Sequence, residues 1–434
     1  MGLTLPFDPT SSPQAARMAW AIERYAEGTL TPEQVEATHE FDPGYDVESQ
    51  LRRFRIFRRP IDEVVSYEPD PVVPRALVRS GRDMALVAVR VGDAPQHRIL
   101  AMSLAKCPAA GVTTRVATDA DGPALRDLER RCAIEAEGVA VHYDRSDDYF
   151  AQQRLMAQHQ TSVAEYEGRI VGVISDAVHP IRVAGVEYRS TYRFHLRVDP
   201  AARGLGIFPA LNVANSRFLF AQRPLPVASS FVAAGNEQMD ETLGPDQRAN
   251  RWPTPVECMV LPCRELAGPS HGRATAPADA TRIADLLAAS HAGEELALDF
   301  DEAWVERRLT RSPRDYSWPH VRLSKRAVLG VWDSGLRIVR VAASGTTTTR
   351  TASVLDWGFA PGAEAEMEAL LRSACSTLAT AGVDDLTIFT SPPSRGRSLL
   401  ADLARAVRIC RVSTAGIRPR SPETTGTYVD PVYF

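Results

Sequence analysis

The stretch "RVDPAARGLGIF", residues 197–208, sets an arginine and two glycines where a strand-forming run gives way to a helix-forming one. Arg203, Gly204 and Gly206 are residue types suited to holding an anion. A helix N-terminus leaves backbone N–H groups unpaired and carries partial positive charge. Glycines at that point let the backbone approach a bulky phosphate, so strand-Gly-x-Gly-helix can form a phosphate cradle. The spacing is not the GxGxxG of a dinucleotide-binding turn, and no P-loop lysine accompanies it. A tight turn without any ligand uses the same residues, so the motif needs its context.

A second candidate chemistry lies on the strand just before it. Alternation along that strand puts Tyr192, Phe194, Leu196 and Val198 on one face and Arg193, His195 and Arg197 on the other. A central strand is expected to be apolar on both faces, so the polar row predicts a cleft. His195 is the first choice for a base that takes a proton from an attacking group, because an ordinary imidazole titrates near neutrality. The plain alternative is a histidine that bonds a neighbouring strand. His142 and Tyr143, expected in a loop between two helices, are second choices.

The six cysteines form no CxxC pair, and no histidines stand beside them at zinc-ligand spacing. No metal site is expected, and the thiols read as reduced and mostly buried. The start "MGLTLPFDPT" shows no basic, apolar leader, and no apolar run approaches a membrane span. The expectation is a cytoplasmic protein without a membrane partner. The formal net charge of −4 gives no global attraction to nucleic acid or anionic lipid.

These residues have to be positioned by a scaffold, and 434 residues are too many for one core. Three segments are read. Residues 1–109 form an N-terminal extension. In it "SSPQAARMAWAIERYAEG" is a helix with Ser12 as cap and Pro13 at its first position, and Thr31 with Gln34 forms a capping box. "ALVAVRV" and "HRILAMSLA" read as strands. Between the helices and these strands, "QLRRFRIFRR" offers Leu51, Phe54 and Phe57 as an apolar stripe and five arginines in 52–59, a solvated face or a grip for a phosphate-rich ligand.

Residues 110–266 alternate as β-α-α-β-β-β-α-β-α-β. The first helix is expected over "DADGPALRDLERRCAIEAEG" and the second over "SDDYFAQQRLMAQ", with a hairpin turning at Glu167 and Gly168. Residues 267–434 repeat that order without residue identity, which reads as a duplicated domain. There "RAVLGVWDSGLRIVRVAA" is expected to be a hairpin, and "DWGFAPGAEAEME" occupies the cradle's place with one glycine and no arginine. This copy is read as structural or acceptor-shaping.

The run Val198, Pro200, Arg203, Gly204, Gly206 resembles motif A of the GNAT superfamily of acyl-CoA-dependent N-acyltransferases: valine, any residue, proline, then R/Q-x-x-G-x-G/A. The element order of 110–266 is similar to that fold, and 267–434 is similar by order only. The resemblance implies an α/β protein of tandem GNAT-like domains, with mixed, mostly antiparallel sheets flanked by helices and an N-terminal α/β extension. It implies that the backbone of Arg203, Gly204, Leu205, Gly206, Ile207 and Phe208 holds the pyrophosphate of coenzyme A. Leu196, Arg197 and Val198 would then pair with the pantetheine like an added strand and polarise the thioester carbonyl.

Asn236 stands where many members carry an asparagine after the next strand. The sequence departs from the pattern at Phe208, where glycine or alanine is usual, and near Leu243, where many members place an acidic tyrosine. Phe434, the terminal residue, would carry a carboxylate to the active site in some tandem members. The implied function is an acyl-CoA-dependent transferase, with acetyl-CoA as donor, acting on the amine of a small molecule or peptide. An acyl carrier protein or aminoacyl-tRNA as donor, thioester hydrolysis or decarboxylation, and a non-catalytic CoA-sensing or scaffold protein are the alternatives.

Overall fold

In the computed structural model, residues 3–39, 47, 51, 54, 60–71, 73–93, 95–136, 139–145, 148–222, 227–234, 252, 254–415, 426–428 and 431 are described. The N-terminal extension builds its own core. The helix Pro13–Glu27 starts where Ser12 accepts the Ala15 N–H and stops at Gly28, and Thr31 and Gln34 cap Pro32–Thr38 reciprocally. A four-stranded antiparallel sheet runs in order through Glu63–Glu68, Arg75–Ser80, Asp83–Val91 and Ile99–Lys106. Met18, Ile22 and Tyr25 pack on Val78, Val87 and Ile99. Leu51 and Phe54 are buried, with Phe54 in that core. Phe57 and the arginines of 52–59 lie outside the described residues.

Everything else is organised by one 15-stranded sheet. In the first copy Thr113–Val116, Gln158–Tyr166, Arg169–Val183 and Val186–Val198 follow one another antiparallel, and Val227–Ala233 then joins parallel to Val186–Val198. The hairpin turns at Glu167 and Gly168, both with left-handed φ, as a two-residue type I′ loop requires. In the second copy Ala327–Trp332 pairs antiparallel with Gly345–Phe359, and Asp385–Thr390 joins the latter in parallel.

The copies then exchange their closing strands. Val256–Pro262, which follows the first copy in the chain, pairs with Asp385–Thr390 of the second. Ala406–Ala415, from the end of the second, pairs with Val227–Ala233 of the first. The exchanged strands also pair with each other, Val256 opposite Cys410 and Val260 opposite Ala406. A core spanning both copies seals this arrangement: Tyr192, Phe194 and Leu155 pack with Ile283, Leu287, Val305 and Leu355. The result is an α/β fold of open, mostly antiparallel sheet with flanking helices.

Four expectations are corrected by the structure. The helix Gly122–Arg131 ends at Cys132 instead of running on, and Ile134–Ala136 pairs with Val139–Asp144. The latter also pairs with Arg337–Ala342 of the second copy, His142 opposite Val339 and Tyr143 opposite Ile338. His142 and Tyr143 therefore sit on a strand rather than in a loop, because the cross-copy ladder supplies the segment with a pairing partner. The second expected helix shrinks to Ala151–Arg154. The expected hairpin over residues 326–343 does not form, since Ala327–Trp332 and Arg337–Ala342 each take Gly345–Phe359 as partner at different heights.

Candidate active site

The site is organised by two parallel strands that part. Val186–Val198 and Val227–Ala233 share three register pairs, from Ser190 opposite Val227 to Tyr192 opposite Ser229, and no further pair follows among the described residues. Beyond Tyr192 they diverge, and among the described residues no strand pairs with the edge of residues 194–198 that faces the gap. On the other edge the ladder slips: Phe194 pairs with Ser175 and Arg197 with Val173, a β-bulge centred on His195, whose φ is +53°. A histidine in the left-handed region is rare enough to mark a built-in distortion.

That bulge overturns the simple alternation. Tyr192 and Phe194 pack into the core shared by both copies, whereas Leu196 and Val198 pack with Ile207 and Leu211 under the following helix. Arg193 turns toward that helix. It donates from Nε to Asp176 at 2.9 Å, and Asn215 also donates to Asp176, at 2.7 Å. Asp176 is fully buried, so this network fixes Ile207–Phe220 against the sheet. Arg197 points to the opposite side, over the Tyr143 ring at 5.9 Å.

At the mouth of the gap the chain makes the turn that the glycines allow. Asp199 caps it by accepting the Ala201 N–H at 3.0 Å, and Arg131 donates to Asp199 at 2.8 Å. Burial opposes the Asp199 charge, but these partners outweigh it and hold its carboxyl below the usual range. Gly204 and Gly206 adopt φ of +89° and +74°, and Ile207 opens the helix. The opening N–H groups of Ile207 and Phe208 have no intrahelical partner, and Pro209 has no N–H. A Cβ on Gly204 would meet nothing within 4 Å. On Gly206 it would lie 2.9 Å from Pro108 Cα, so that glycine is required by packing as well as by its φ.

A cavity of about 500 Å³ joins these parts. It is lined by Leu196, Arg197, Val198, Arg203, Gly204, Gly206, Ile207 and Phe208, the strand end and turn singled out by sequence, and Leu205 sits within that turn. Its far wall is Cys132, Ala133 and Ile134. Cys132 closes its helix and donates from Sγ to the Val198 carbonyl at 3.4 Å. Nothing in the local sequence marks that wall, because it is brought there by sheet closure. Asn236, Leu243 and Phe434 lie outside the described residues. Among the described residues, no group of His, Cys, Asp or Glu could hold a metal ion.

The two histidines have different surroundings. His195 is buried, with Nε2 2.9 Å from Gln152 Oε1 and Nδ1 3.2 Å from the Gln153 amide nitrogen. Arg145 also donates to Gln152 Oε1, which fixes that atom as an acceptor and therefore puts the His195 hydrogen on Nε2. Burial, then the nearby charges of Arg145 and Arg197, push its pKa well below the usual value. The imidazole is neutral with both nitrogens engaged, which suits a structural member of the bulge. His142 directs Nδ1 to the Arg130 carbonyl at 2.8 Å, so Nδ1 carries its hydrogen and Nε2 is the basic nitrogen. It projects from the face of its strand opposite Tyr143.

No family model matches this chain, and no curated protein matches it in sequence. Solved structures do. N-myristoyltransferase of Saccharomyces cerevisiae with bound myristoyl-CoA is similar at 12% identity and a TM-score of 0.53, over 78% of this chain and 88% of that one. A second structure of that complex gives 10% identity and 0.51, over 72% and 86%. A tandem GNAT protein from the clavulanic acid biosynthesis pathway gives 14% identity and 0.43, over 70% and 99%.

Proposed function

This chain has the tandem GNAT fold, and on that premise we propose that its first copy binds an acyl-CoA and passes the acyl group to an amine. The observation that carries the reading is the coincidence of the parted strands, the two left-handed glycines and the cavity between them. Each element answers a different part of the donor. The turn and helix start offer N–H groups to the diphosphate. The free edge at residues 196–198 offers an extended peptide to the pantetheine arm, which is itself amide-bearing. The N–H groups of the bulge lie where a thioester carbonyl would end, and they stabilise the oxyanion as the amine adds.

In the transfer, the amine nitrogen bonds to the thioester carbon and loses a proton. The C–S bond then breaks, and the thiolate leaves and takes up a proton. We assign the amine's proton to solvent rather than to a histidine: both nitrogens of His195 are occupied, and His142 bonds the Arg130 carbonyl from the strand face opposite Tyr143, away from the ring that Arg197 covers. Donor binding is assigned to residues 110–266, and shaping of the acceptor side to residues 267–434, which supply the strand paired with Val139–Asp144. The donor is proposed to be acetyl-CoA, the acceptor a small molecule or peptide bearing an amine, and the place of action the cytoplasm.

Calorimetric titration of the full chain with acetyl-CoA, myristoyl-CoA and free CoA tests this. One site per chain is expected, with the best acyl length ranked by affinity. Absence of saturable heat with all three, or two equal sites per chain, would sink the reading.

A further inference from the structure

The helix that begins at the glycine turn is held at both ends by the N-terminal extension. At its start, the segment joining strand Ile99–Lys106 to the first copy lies directly on the turn. The Ala109 N–H donates to the Leu205 carbonyl, between the two glycines, at 2.8 Å. Pro108 and the Cys107 carbonyl press on Gly206, leaving no room for a Cβ. At the helix's far end, Arg90 donates from Nη2 to the Gln222 carbonyl at 2.9 Å. Arg90 is 1% exposed and, among the described residues, the largest fully buried side chain, although it stands on a strand of the small sheet. Between these points strand Ile99–Lys106 runs along Ile207–Phe220.

A buried arginine is costly to place without purpose, and this one meets a helix C-terminus, where its charge complements the backbone dipole. Gln222 is gripped a second time by Arg189, which donates to its Oε1 at 2.8 Å from the strand preceding the turn. The second copy's helix Glu364–Thr380 follows its own strand in the same order, and no separate α/β module precedes that copy. The extension thus attaches to the one helix whose N-terminus opens the cavity.

We propose that the N-terminal extension is part of the donor site: Ala109 and Arg90 are positioning residues that hold the glycine turn in register for a diphosphate. The inference rests on the acyl-CoA reading above. The Ala109 bond fixes the Leu205 carbonyl away from the cavity and so aims the neighbouring N–H groups into it. The Arg90 bond fixes the axial position of the helix behind them. Neither residue touches the donor, and their effect is confined to its diphosphate end.

The test uses the full chain and two ligands, acetyl-CoA and S-acetylpantetheine, which shares the thioester arm but lacks the diphosphate. Ala109→Pro removes the N–H, Arg90→Met removes the anchor, and Arg90→Lys restores one donor. Ala109→Pro and Arg90→Met are each expected to weaken acetyl-CoA about tenfold, the worth of one fixed hydrogen bond. S-acetylpantetheine binding stays unchanged, Arg90→Lys recovers most of the loss, and circular dichroism remains that of the parent. Unchanged acetyl-CoA affinity in both variants would overturn the proposal while leaving the donor reading intact. Equal weakening of both ligands would also overturn it, since a general loosening of the fold does that. Failure of the parent protein to bind acetyl-CoA would strike the donor reading itself and the inference with it.

Discussion

The two copies open their sheets in the same way and fill the openings differently. In the first, three parallel pairs end at Tyr192 and Ser229; in the second, three end at Ser353 and Thr387. Val186–Val198 and Gly345–Phe359 each carry a bulge near the point of parting. In the first copy the gap leads to glycines, Arg203 and the cavity. In the second, the Trp357 indole donates across it to the Phe389 carbonyl at 3.2 Å, and Gly396 is pressed against the ring, where a Cβ would lie 2.8 Å away. The helix that follows begins with Glu364 and Glu366, charges that repel a phosphate at a site where the dipole would attract one. The topology makes an opening twice, and side chains decide which one remains open.

Breaking the plug should have the largest effect. Trp357→Ala is expected to cost about 3–5 kcal/mol by leaving a cavity and an orphaned carbonyl. It should lower the denaturation midpoint without creating a second donor site, because the acidic helix start remains. A second saturable acyl-CoA site by calorimetry would show that the plug alone separates the copies.

Filling the open site comes next. Gly204→Val puts a side chain into free space at left-handed φ, a strain of roughly 1–2 kcal/mol on folding. Its larger effect is expected on acyl-CoA, a loss of about 100-fold or more, equivalent to about 2.7 kcal/mol. An equal Kd in a folded variant would refute the cradle.

The histidines sharpen the contrast within the first copy. With an amine acceptor, His142→Gln and His195→Gln should each leave the pH–rate profile unchanged in shape. Loss of the profile's lower limb in His195→Gln would return the base to the bulge.

The smallest effect is on stability against pH. The His195 pKa is depressed in the folded state, so protonation favours the unfolded chain. Its contribution is complete above the unfolded imidazole value of about 6.5 and is lost as pH falls below it. His195→Gln should therefore flatten, but not abolish, the fall in Tm between pH 7 and pH 5. His39, depressed to about 4 by burial, and His159 act in the same direction and remain. An unchanged slope would mean that His195 is not neutral and buried in solution.

What the sequence determined by itself was local. Ser12, Thr31 and the Glu167–Gly168 turn set their elements through bonds to neighbours a few residues away, and Gly204 and Gly206 set the cradle because few other residues adopt their backbone angles. The alternation of Val186–Val198 was legible up to Phe194 and failed at His195, since a bulge is written in the pairing of two strands rather than in either one. The ladder from Val139–Asp144 to Arg337–Ala342, the exchange of Val256–Pro262 for Ala406–Ala415, and the Arg90 anchor all join residues more than a hundred positions apart. Only the tertiary structure decided these, because the free energy that selects them comes from burial and hydrogen bonds that exist only after the chain has closed on itself.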